Sequence, residues 1–221
     1  MLFWIEITLL AFSILANPIT KTPSLKETPS LKDHKTPNNN IRLYGGYESN
    51  TLMRFVVLGD VRREFHHTSI KGIDFSRTIK KNYKDYPLDM SLRLSMVRYN
   101  EMNYQKDHNQ VNLFFMVHRK ANYRRMPIRF FIGEGISLSE NVPYVEGRET
   151  RRISGRDSRL MNYLNIGFDF RLSDLTGFEN LNKIRFGIAD SHRSGAFSKV
   201  KLFNNTSGGS NFITLFLEYD F

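Results

Sequence analysis

The residues Phe212–Phe221 at the carboxyl end constrain the fold most. They read Phe-Ile-Thr-Leu-Phe-Leu-Glu-Tyr-Asp-Phe. Ile213, Leu215, Leu217, Tyr219 and Phe221 share one parity, and Thr214, Glu218 and Asp220 share the other, with Phe212 and Phe216 as exceptions. A strand sends alternate side chains to opposite faces. The segment therefore has one apolar face ending in aromatics and one more polar face. That is the pattern of a barrel strand with lipid outside and a polar lumen inside. The edge strand of a soluble sheet is the competing reading.

The amino end agrees with the membrane reading. Residues 1–16 (MLFWIEITLLAFSILA) form the longest apolar run, too short for a spanning helix of about 20 residues. The run fits the apolar region of a secretory signal, with a cut expected after Ala16, although Glu6 lies in it and no Lys or Arg precedes it. A signal anchor is the alternative. Residues 17–40 are rich in Pro, Lys, Thr and Asn and repeat Thr-Pro-Ser-Leu-Lys at 22–26 and 28–32. They carry too little apolar surface to offset their ordering entropy and read as a disordered linker. No later stretch is apolar enough to span as a helix, so an integral membrane protein must here be a barrel, over residues 41–221.

Strand-like runs follow one another from Ile41 to the end: 41–48, 52–61, 69–75, 89–99, 111–119, 126–137, 158–172, 183–193 and 211–221. Their length suits tilted membrane strands, and the number predicts an all-β, antiparallel outer-membrane β-barrel of about eight strands. No segment shows a clear helical period. If Phe221 lies at the periplasmic end, 120–125 and 173–182 are short periplasmic turns. Residues 138–157 and 194–210 are then the longer outer loops.

Composition narrows the partners. The net charge is +10, but the basic residues are spread over turns and the tail, with no nucleic-acid motif, so no nucleic-acid partner is expected. There is no cysteine and hence no disulfide or thiolate chemistry. His66 and His67 are adjacent, so a strand would point them apart, and no spaced partner supports a zinc site. Neither a metal nor any other cofactor is expected.

The sharpest chemistry lies in Ser191-His192-Arg193-Ser194-Gly195. His192 and Ser194 share a face on a strand, and they share the parity of Ile184, Phe186 and Ile188, which is the lipid-facing one. An imidazole beside a hydroxyl can serve as base and nucleophile, with a third group orienting the ring. Asn211 has the lipid-facing parity of the last strand and lies near the same rim. Polar groups in membrane are costly and point to function. The plain alternative is that these residues only meet headgroups at the rim.

Two carboxylates could orient the imidazole in place of Asn211. Glu134 faces outward with Ile128, Phe130 and Ile132, one strand away from the His192 strand, a gap of about 10 Å. Asn162 lies on the strand between, which suggests a Glu134–Asn162–His192 relay. Glu146, in the outer loop, is the other carboxylate able to fold back. Arg148, Arg151, Arg152, Arg156 and Arg159 would suit phosphates, although Glu146, Glu149 and Asp157 offset much of their charge.

The His192-x-Ser194 pair, followed by a loop and a short Phe-terminated strand, resembles the lipid A 3-O-deacylase family of outer-membrane barrels. The resemblance covers roughly the last 40 residues in motif and the rest in architecture. It implies that Ser194 is the nucleophile and His192 the base, acting without cofactor on acyl esters of lipid A in lipopolysaccharide. The family's orienting Glu falls at Asn211, which can hold an imidazole but supplies no charge. Segments 133–137, 143–146 and 158–164 resemble a divergent branch of such barrels. A closing strand ending in Phe also resembles the signal by which outer-membrane barrels engage the barrel-assembly machinery. The alternative function is a non-catalytic structural or adhesive small barrel. A soluble periplasmic binding barrel is a third.

Overall fold

Eight antiparallel strands pair in chain order and the last returns to the first, closing the sheet. They are β1 (Asn39–Ser49), β2 (Ser69–Lys80), β3 (Leu88–Asn100), β4 (Asn109–Tyr123), β5 (Met126–Ser139), β6 (Leu160–Arg171), β7 (Ile184–Ser194) and β8 (Gly209–Asp220). This computed structural model describes residues 38–51, 55, 59–83, 86–123, 126–195 and 199–221. The expected signal segment and all of the expected linker before Asn38 lie outside the described residues. Asn39 and Asn40, expected in the linker, already pair with Arg77 and Asp220, respectively, as part of β1.

Two expectations are corrected. The 52–61 run is no strand where it is described: Phe55, Gly59 and Asp60 lie in the β1–β2 connection, and Asp60 N–H donates to the Phe55 carbonyl. Its apolar residues do not alternate, and a ninth strand would break the even antiparallel closure. Secondly, the β5–β6 connection contains a helix, α1 (Tyr144–Ser154), ended by Gly155 in the left-handed region at φ 68°. A shorter helix, α2 (Leu172–Thr176), and a 3-10 turn, η1 (Glu179–Leu181), fill the β6–β7 connection. Antiparallel order puts connections 50–68, 101–108, 140–159 and 195–208 at one end, called upper here. All but 101–108 are longer than any lower connection.

Alternation sorts the side chains. Leu43, Phe75, Leu94, Met96, Leu113, Phe115, Phe130, Leu215 and Leu217 stand exposed on the outer wall. The lumen is filled. Its middle holds an aromatic layer of Tyr44, Phe114, Phe131, Tyr163 and Phe216. Gly72 and Gly187 make room for it: a Cβ on either would lie 2.4 Å from the ring of Tyr44 or Phe216.

Below this layer the lumen is ionic. Glu218, fully buried, accepts from Arg42 (2.9 Å), Arg93 (2.7 Å) and Arg129 (2.5 Å). Arg129 and Arg185 meet Asp169 at 2.8 and 2.5 Å. The Arg42 guanidinium also lies 3.8 Å from the centre of the Phe216 ring, joining the two layers. Charges buried together hold only while each keeps its partner.

The upper end is plugged. Glu146 on α1 is fully buried in the mouth, where it accepts from Ser210 Oγ at 2.7 Å and lies 3.5 Å from Arg193. Glu101 accepts the N–H of Tyr144 at 3.2 Å. Three upper connections also meet around His66. It donates from Nδ1 to Glu64 (2.7 Å), faces Tyr104 and Tyr144 edge-on, and receives Arg148 at Nε2 (2.9 Å).

Replacing Glu218 by Gln keeps the volume and removes the charge shared by three arginines. The expected loss is about 3–5 kcal/mol, read as a lower denaturant midpoint for barrel unfolding. The plug should depend on pH. Burial pushes the Glu101 carboxyl up to about 7 from 4.5, with Glu146 and Asp107 adding to the effect and the Tyr144 N–H opposing it. The folded state thus holds this proton more tightly than the unfolded chain. Its stabilising contribution is complete below pH 4.5 and is lost as pH rises towards about 7. Hydrogen-exchange protection of α1 amides should fall across that window, and Glu101→Gln should flatten the fall.

Candidate active site

The site residues sit where β6, β7 and β8 reach the upper rim. The register pairs His192 with Asn211, Arg193 with Ser210 and Ser194 with Gly209. Arg193 points into the lumen, where Nη1 donates to Gln110 Oε1 on β4 at 2.7 Å. Ser191 also faces inward, within hydrogen-bond reach of Tyr163 and Asn165. Alternation therefore turns Asp190, His192 and Ser194 outward, as their parity predicts. Asn211 is outward as well, between the lumen-facing Ser210 and Phe212.

The chain between β7 and β8 folds back on the wall. It carries a 3-10 turn, η2 (Lys201–Phe203), which packs against β6 and buries Phe203. Asn204, Asn205 and Gly208 follow with positive φ, at 55°, 49° and 95°. Gly209 then passes so close to β7 that a Cβ would lie 1.8 Å from the Arg193 carbonyl oxygen. The wall here is covered. Asn162, Leu164 and Asp190 point outward yet are 9, 4 and 5 % exposed, against 52 % for Leu215 lower on β8.

His192 and Asn211 come together. His192 Nδ1 and Asn211 Oδ1 are 2.7 Å apart, and Asn211 Nδ2 donates to the Thr51 carbonyl at 3.0 Å. The second bond sets the first. With its NH2 committed to Thr51, the amide offers oxygen to the ring, so Nδ1 carries the proton and Nε2 keeps its lone pair. That is the tautomer a general base needs. Ser194 shares the face of His192, but among the described residues no hydrogen bond joins them.

The two carboxylates do not reach the imidazole. Glu134 is exposed on β5 and level with His192, but the residue between them on β6 is Leu164. Asn162 lies one step higher, paired with Ser194 and Ile136. The Glu134–Asn162–His192 relay is therefore corrected: two residues of register separate Asn162 from that row. Glu146 folds back, but into the lumen, on the opposite side of the wall. The arginines do not converge either. Arg148 is held at His66, Arg151 pairs with Asp157, and Arg159 Nε donates to the Ser139 carbonyl at 2.9 Å.

Asp190 joins this outward face without being among the residues expected there, although its parity is that of His192. Neither of its carboxyl oxygens has a hydrogen-bond partner among the described residues. No protein-family model matches the chain, and no curated protein matches it either.

Removing the amide should release the ring. In Asn211→Ala, His192 loses its Nδ1 acceptor, and nitrogen NMR of the labelled imidazole should change from the Nδ1–H form to a mixture of tautomers. The lost bond should lower stability by about 0.5–1.5 kcal/mol.

Proposed function

We propose that the chain is an outer-membrane barrel and a carboxylic ester hydrolase that removes an acyl chain from a membrane lipid of the lipid A class. The hydrogen bond from His192 to an anchored Asn211, on the outer wall beside Ser194, carries this reading. The apolar outer belt and the closed, filled barrel support the bilayer as its surroundings. No helix among the described residues is long and apolar enough to cross a membrane. The substrate ester would then lie beside the wall, at the depth of the headgroup boundary.

The chemistry needs no group beyond the chain, the ester and water. Ser194 Oγ attacks the ester carbonyl carbon while its proton passes to His192 Nε2. The carbonyl π pair moves onto oxygen. When the tetrahedral intermediate collapses, the ester C–O bond breaks and the leaving alkoxide takes the proton from the imidazolium. Water then adds to the acyl-enzyme by the same route, giving a free fatty acid and restoring Ser194. Asn211 keeps Nδ1 protonated throughout. The separation of Ser194 from His192 in the unliganded chain suits a site that tightens around its substrate.

A non-catalytic structural barrel is the second reading, favoured by the missing Ser194–His192 hydrogen bond. Mass spectrometry of lipid A from a host producing the chain separates the two. The esterase reading predicts a species short of one acyl chain with the wild type and its disappearance with Ser194→Ala. Identical acyl patterns for the two would leave the structural barrel standing.

A further inference from the structure

An ester hydrolase must also stabilise the oxyanion that forms on the carbonyl oxygen, and most of the described donors around Ser194 are already committed. The Gly195 N–H donates to the Gly208 carbonyl at 3.2 Å. Asn211 Nδ2 is committed to Thr51, and Ser210 Oγ donates to Glu146 inside the lumen. Arg193, though adjacent in sequence, is on the lumen side. Among the described residues two buried side-chain donors without a partner remain near Ser194, Thr206 Oγ1 beside Gly195 and Asn162 Nδ2, and of these only Asn162 is paired with Ser194 in the sheet. It lies on β6, on the same outer face. Asn162 Nδ2 is buried and has no hydrogen-bond partner among the described residues.

Such a donor has no structural return. An unpaired buried amide costs about 1–3 kcal/mol. The outward positions on either side of it along β6 are Leu160, Leu164 and Ile166, so an aliphatic residue would suit the wall. We infer that Asn162 is a further catalytic residue, whose side-chain N–H stabilises the oxyanion formed when Ser194 attacks an ester. This rests on the esterase reading above. The spacing fits the role. Directly paired residues on antiparallel strands have Cβ atoms about 4.5–5.5 Å apart. An oxyanion bonded to the carbon that Ser194 attacks can therefore come within about 2.7–3.1 Å of the amide nitrogen. No proton is transferred to or from Asn162. It accepts no electrons and only offers its N–H to the charge that the carbonyl oxygen gains.

The test uses the full chain in detergent micelles with a fluorophosphonate probe, whose phosphoryl oxygen occupies the same position as the oxyanion, and with a soluble fatty-acyl ester. Four proteins are compared: wild type, Ser194→Ala, Asn162→Ala and Asn162→Asp. The aspartate keeps the shape of asparagine but has no N–H to donate. Folding of each is checked by circular dichroism and by heat-modifiable mobility on gels. The expected result is probe labelling that Ser194→Ala abolishes. Labelling rate and kcat should both fall about 10²–10³-fold in folded Asn162→Ala and Asn162→Asp, with KM changed far less. Wild-type labelling matched within threefold by either folded Asn162 variant overturns the assignment of Asn162 and leaves Ser194 as nucleophile. A wild-type chain that neither labels nor hydrolyses the ester overturns both.

Discussion

The ladder between β1 and β8 is the contact on which the rest depends. Ten register pairs, from Asn40 with Asp220 to Ser49 with Asn211, turn a sheet into a cylinder with no free edge. Once it closes, every strand has one face in a narrow lumen and one face outside. Alternation then leaves no freedom: a single residue of slip would exchange Glu218 with Leu217 and put a carboxylate on an apolar wall. The lumen enforces the register chemically. Glu218 gathers guanidinium groups from β1, β3 and β5, so three strands besides its own must be in place before its charge is met.

The plug and the candidate site occupy opposite faces of the same two strands. Inside, Arg193 and Ser210 are tied to Glu146 of α1. Outside, His192 and Asn211 are tied to each other, and Asn211 to Thr51 in the β1–β2 connection. Each inward residue is a direct neighbour in sequence of an outward one. Holding the inner pair therefore limits how far the outer pair can shift. An active site on the outside of a small barrel has no cleft walls to orient it. Here that rigidity comes from packing in the lumen and from the chain folded over β6.

Much of this was legible in the residues. Period-two alternation located all eight strands, ending β2 and β4 four or five residues early, and the outward parity of His192, Ser194 and Asn211 followed from their aliphatic neighbours. What failed had physical causes. The 52–61 run is as apolar as a strand, but apolar content without alternation does not specify one. Helix α1 showed no apolar stripe because it packs on a polar mouth: its buried residues are Glu146, Gly147 and Thr150. The position of Asn162 depended on register. Parity states which face a residue occupies and nothing about its height, and height is set by connections whose lengths do not reveal their conformation. Two residues of height separate a relay to Glu134 from a place beside Ser194.

The amide at position 211 makes sense in such surroundings. A carboxylate orienting His192 would have to be desolvated on a covered, apolar wall, at a cost of several kcal/mol per ion. Its reward would come only while the imidazole is charged. An asparagine carries no such penalty and, fixed by Thr51, still dictates which nitrogen holds the proton. What it cannot do is stabilise an imidazolium, so in the proposed esterase a larger share of the catalytic demand would fall on the negative end of the reaction, at the carbonyl oxygen. Asn162 Nδ2, beside Ser194 and without a partner among the described residues, is the donor that this proposed division of labour would require. Asp190, outward, without a side-chain partner among the described residues and one step along β7 from the imidazole, is the carboxyl group whose field would act on the ring whenever it is ionised.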